Sequence, residues 1–135
     1  MGWDVSIVRV QPKAMKSLPC PADEVEPLAD LRADEVRALL ESCPGVRANG
    51  PPEEGWLAWH GAEGLMELRP SEHGIFVGHA KLEPLLALHA HLERARPGWA
   101  LLDHVRGDLH DPDSLRRELA RRHAQVEELL RQRGK

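Results

Sequence analysis

Residues 55–80 read GWLAWHGAEGLMELRPSEHGIFVGHA, and the alternation and turn residues of this stretch decide the fold. Successive strand side chains point to opposite faces. Trp56, Ala58 and His60 therefore share one face, and Leu57 and Trp59 the other. Gly61-Ala62-Glu63-Gly64 is hairpin-turn material. The next strand sets Leu65, Glu67 and Arg69 against Met66 and Leu68. Residues 70–74 form a second turn, and a third strand sets Ile75, Val77 and His79 against Phe76 and Gly78. Three strands joined by short turns predict an antiparallel meander.

Working outward, residues 32–43 form an amphipathic helix. Val36, Leu39, Leu40 and Cys43 make one apolar stripe, Asp30 is the expected N-cap, and Pro44-Gly45 is the stop. Downstream, residues 82–95 form a helix with His89 in the middle of a leucine face, tolerating Pro84 in its first turn. Trp3, Val5 and Ile7 alternate with Asp4 and Ser6 in an N-terminal strand. Val8 and Val10 break that phase, so the strand is expected either to bulge or to lie centrally, buried on both faces. A short strand follows at 99–102, and residues 108–110 pair back weakly. Asp111-Pro112 then opens a helix, Asp at the N-cap and Pro at the first helical position. Its stripe is Leu115, Leu119, Val126, Leu129 and Leu130, with Arg122 and His123 crowding it. Docking by the first half only is expected, with fraying beyond Val126. Residues 12–28, with four prolines, and residues 46–54 read as surface loops. The expected order is β-α-β-β-β-α-β-α: an α+β fold, two-layer, with an antiparallel sheet and helices packed on one face.

The length of 135 residues points to a single domain, 1–135, closed by a basic C-terminal helix over 114–135. A chain of this size buries roughly two-thirds of its unfolded surface and needs no metal or disulfide to fold. The net charge of −4 is unevenly spread. Residues 21–67 hold eleven acids and three bases; residues 114–135 hold seven bases and three acids. The acidic section argues against a general nucleic-acid binder, which needs a basic footprint. Cys20 and Cys43 form no CxxC motif, so free thiols and a reduced, cytoplasmic setting are expected. The first ten residues lack the pattern of a signal peptide, and no apolar run approaches the ~18 residues of a membrane span.

Candidate chemistry is sparse. There is no P-loop, GxGxxG or GxSxG, and nothing in the residues calls for a cofactor. Asp103, His104, Asp108, His110 and Asp111 crowd a turn and could hold a divalent cation, or pair a base with an orienting carboxylate. Local duties compete: Asp108 suits the turn and Asp111 the helix cap. His60, His73 and His79 would gather a metal only if neighbouring strands brought them together. His89 is expected to satisfy itself inside the core. Trp56 and Trp59 point to opposite faces, and helices can cover only one of them. An exposed Trp is a natural anchor for a partner, with Glu53 and Glu54 beside it.

Met1-Gly2-Trp3-Asp4-Val5-Ser6-Ile7, with Leu39-Leu40 before Pro44-Gly45 and Gly98-Trp99-Ala100-Leu101-Leu102-Asp103 before Gly107, resembles a group of small uncharacterised bacterial proteins from high-GC genomes. They open with a GWDV-type strand and carry a W-x-L-x-D-like strand near the C-terminal end. The resemblance implies a stand-alone cytoplasmic α+β protein and supplies no catalytic residue; the long basic helix departs from the pattern. Small proteins of this type are sometimes immunity proteins that neutralise a toxin. The expected function is therefore a non-catalytic protein-binding module, immunity- or adaptor-type, docking a partner such as a basic toxin by its acidic surface and an exposed Trp. The alternatives are a small metal-binding protein or hydrolase using Asp103, His104, Asp108 and His110, and a homodimer held by sheet edges or the last helix.

Overall fold

The computed structural model describes residues 3–134; Met1 and Gly2 of the opening motif lie outside them. The elements run β1 (Val5–Arg9), α1 (Pro12–Met15), β2 (Cys20–Pro21), α2 (Ala33–Glu41), β3 (Val46–Ala48), β4 (Leu57–Gly61), β5 (Gly64–Ser71), β6 (Gly74–Gly78), α3 (Leu82–Ala95), β7 (Trp99–Asp103), β8 (Asp108–His110) and α4 (Pro112–Arg133). Single 3-10 turns stand at Ala22–Glu24 and Pro52–Glu54. The strands form one sheet in the order β2-β8-β7-β1-β6-β5-β4-β3, antiparallel at every pairing.

The meander forms where the alternation places it. Gly61 pairs with Gly64 and Ser71 with Gly74, so both hairpins close on two residues, Ala62-Glu63 and Glu72-His73. The second turn is tighter than expected because β5 runs on through Pro70. Proline cannot donate to a ladder. Pro70 is accommodated because β4 ends opposite Leu68, leaving Pro70 paired with β6 alone.

Register separates the two faces. One carries Val5, Ile7, Leu57, Met66, Leu68, Ile75, Val77, Trp99 and Leu101, all buried in one core cluster with Val36 and Leu40 of α2, Leu85 and Leu92 of α3, and Leu115 of α4. Cys43 joins this core; burial pushes its thiol up to about 11. The other face carries Ser6, Val8, Ala58, Glu67, Arg69, Phe76 and Leu102. β1 lies between β6 and β7 and is unbroken. Its phase change at Val8 and Val10 has a packing cause: both join a second cluster on the other face with Ala100 and Leu109, closed by Ala14, Met15, Leu18, Cys20 and Val25.

The 12–28 segment is therefore not the irregular loop expected from its prolines. Pro12 opens α1 at a position that needs no N–H, and Cys20 and Pro21 pair with β8 at the sheet's edge. Residues 46–54 likewise contain β3, whose pairing with β4 extends the sheet. Asp30 does not cap α2. Arg32 takes that position, and its backbone N–H donates to Glu35 Oε1 at 3.1 Å. α4 spans Pro112–Arg133. Asp111 caps it as expected, accepting from the Ser114 N–H at 2.8 Å.

Candidate functional site

The uncovered part of the sheet holds a groove of about 500 Å³ lined by Ser6, Val8, Arg69, Ser71, His73, Gly74, Ile75, Phe76 and Leu102. Cross-strand register builds it. Leu102, Ser6, Phe76 and Arg69 form one row across β7, β1, β6 and β5. Ala100, Val8, Gly74 and Ser71 form the next row. Gly74 and Gly78 flank Phe76 along β6 and leave that strand without side chains on either side of the ring.

Polar groups surround this apolar floor. His104 Nε2 lies 2.7 Å from Ser6 Oγ, and its ring tilts against Phe76 with centroids 6.0 Å apart. The Arg69 guanidinium sits over the Trp56 ring at 5.4 Å, and among the described residues Arg69 makes no ion pair. A serine within reach of an imidazole is the first part of an activated nucleophile. The third part is missing: among the described residues nothing is hydrogen-bonded to His104 Nδ1. Neither thiol is activated. Burial, then the charges of Glu24 and Asp108, raises that of Cys20, as burial does that of Cys43.

The 103–111 cluster is dispersed by the fold. Asp103 is buried on the helix-bearing face, accepting from the Val105 N–H at 3.0 Å and from the Arg122 guanidinium. His104, the next residue, emerges beside Ser6 on the opposite face. Asp108 pairs with Asp103 across the β7–β8 ladder. His110 is buried, with Nδ1 2.9 Å from Ser114 Oγ in the first turn of α4. Strand alternation and helix capping thus give each residue a local duty. Among the described residues no group of three or more His, Cys, Asp and Glu could hold a metal ion. His60, His73 and His79 are not gathered into one either. His89 donates from Nε2 to the Trp99 carbonyl at 3.0 Å and satisfies itself in the core.

The two Trp residues occupy opposite faces with different surroundings. Trp59 packs half-buried against the main core, beside a hollow of about 280 Å³ between Pro44, Pro84 and His91. Trp56 is half-buried on the groove's face beneath Arg69. Glu53 and Glu54 are exposed on the 3-10 turn just before it. Sequence reasoning missed Ser6, Arg69 and Phe76. Each shows only as an ordinary alternating residue until the strand order brings them into one row.

Charge pairing differs between the two charged sections. Arg116, Arg121, Arg122 and Arg131 of α4 each meet a carboxylate. Asp23, Glu24, Glu26, Glu53, Glu54, Glu63 and Glu67 make no ion pair among the described residues. Among the described residues the exposed large apolar side chains are Val105, Val126, Leu129 and Leu130, three of them on the outer half of α4. No helix among the described residues is long and apolar enough to cross a membrane. No family model matches the chain, and no curated protein or solved structure matches it.

Proposed function

We propose that the protein is a non-catalytic binding module of the immunity or adaptor type, a two-layer α+β frame that docks a basic partner protein through its acidic section. The observation that carries this reading is the set of unpaired carboxylates between Asp23 and Glu67, set against a basic helix whose arginines are largely paired within the chain. Free surface charge of one sign attracts a partner of the other and accelerates encounter. Glu53 and Glu54, next to Trp56, place some of that charge beside a rigid aromatic side chain. The partner chemistry is that of a basic protein such as a toxin; the unpaired acids disfavour nucleic acid.

The test is association with the product of the adjoining gene, followed by stopped flow. Raising salt from about 0.05 to about 0.5 M is expected to slow association by about tenfold or more. The Glu53→Lys and Glu54→Lys pair should slow it similarly at low salt. An association rate indifferent to both would remove acidic steering as the mode.

A homodimer through α4 is a second reading, favoured by Val126, Leu129 and Leu130, which are 53%, 60% and 61% exposed on a folded helix. Light scattering should then give a dimer mass for the parent chain and a monomer mass for Leu129→Lys with Leu130→Lys. The thermal midpoint should barely change in the monomer, because these side chains bury little within it. A parent chain that stays monomeric at high concentration excludes this reading.

A further inference from the structure

We propose that the groove over Phe76 binds a small organic carboxylate with an apolar aliphatic or aromatic body. This site is separate from the acidic docking section and does not depend on it. Its volume of about 500 Å³ lies within the range of small-molecule pockets, roughly 300–1,000 Å³. Val8, Phe76 and Leu102 give it an apolar floor. Among the described residues no Asp or Glu lines it. Glu67 stands one pair further along the same face, beside Gly78.

Arg69 supplies the recognition. Its guanidinium carbon lies over the Trp56 ring, 5.4 Å from the centroid. A cation–π contact consumes none of the guanidinium N–H groups, and the planar fork matches a carboxylate bidentately. The fork has no carboxylate partner among the described residues. Ser71 and His73 stand at the same end of the groove, and the Ser6–His104 pair adds polar atoms across the floor. An apolar body on Phe76 with its carboxylate on Arg69 satisfies both halves of this lining. Inorganic phosphate satisfies only the charged half, and a neutral alcohol only the apolar half.

Titration of the full chain with benzoate and hexanoate, followed by amide NMR shifts and Trp fluorescence, tests the proposal. Benzyl alcohol, hexanol and inorganic phosphate serve as comparisons. Saturable shifts centred on Ser6, Arg69 and Phe76, with a Kd at or below about 1 mM, are expected for at least one carboxylate. Arg69→Gln should weaken that binding at least about tenfold. Arg69 is exposed, so this variant keeps its fold, which an unchanged melting curve checks. Phe76→Ala should weaken binding of the same ligand while leaving the comparison anion unaffected. The proposal is overturned if neither carboxylate saturates, if the alcohols or phosphate bind as tightly, or if Arg69→Gln binds like the parent.

Discussion

Replacing Asp30 by alanine is expected to destabilise the protein by about 1–3 kcal/mol, the cost of leaving the buried Arg9 guanidinium without its partly exposed carboxylate partner. Arg9 is 4% exposed on the core-bearing face of β1. Its Nε and NH2 groups donate to the two Asp30 oxygens at 2.9 and 2.8 Å. Its NH1 group donates to the Pro97 carbonyl at 2.7 Å, and the guanidinium lies 4.9 Å from the centre of the Trp99 ring. Without Asp30 a full charge stays in the core with only carbonyls and an aromatic face to balance it. The cost therefore belongs to the stranded arginine more than to the lost contact. Removing both charges distinguishes the two. Arg9→Met with Asp30→Ala should recover most of the loss in urea unfolding, and a double variant as unstable as Asp30→Ala would refute the account. The pair also sets a pH dependence. Hydrogen bonding from Arg9 holds the Asp30 carboxyl below its usual value of 3.8. Its stabilising contribution is therefore present above that value and disappears as the pH falls through the lower, folded one. The stability gap between the parent and Asp30→Asn should narrow as the pH drops below about 4.

Asp30 also illustrates what could be read locally and what could not. An acid just before an amphipathic stripe reads as an N-cap, but Arg9 lies 21 residues away and takes the carboxylate instead. Nothing within a helical turn of Asp30 signals that competitor. Where the determining partner is near in sequence, the reading succeeds: Asp111 caps α4 through Ser114, and the meander hairpins close at Gly61-Gly64 and Ser71-Gly74. α3 spans Leu82–Ala95, the boundaries its leucine spacing predicts. β2 and β3 escaped because two or three residues among prolines carry no periodicity; they are strands only because β8 and β4 lie alongside. The groove was illegible for the same reason. Ser6, Phe76 and Arg69 are scattered along the chain and meet through pairings that alternation within each strand does not reveal.

Gly74→Ala is expected to cost about 2–6 kcal/mol. Gly74 has φ +137°, where an L side chain is strained. A Cβ there would come within 2.4 Å of the Ile7 carbonyl oxygen and 3.1 Å of Val8 Cα. Both are backbone atoms of the central strand, and β1 cannot yield because β7 pairs with it on the far side. Strain of about 1–3 kcal/mol thus adds to an overlap of about 1–3 kcal/mol. Gly107 separates the two contributions. It also has positive φ, +73°, yet a Cβ there meets nothing within 4 Å. Gly107→Ala should cost only about 1 kcal/mol. Equal losses for the two variants in urea unfolding would show that the approach of β1 contributes nothing. The same geometry ties the fold to the groove. β6 packs against β1 so closely at Gly74 that no side chain fits, and this close pairing sets Phe76 opposite Ser6. A substitution that filled this position would have to push β1 and β6 apart. The row that sets Ser6 and Arg69 on either side of Phe76 would be lost with that pairing.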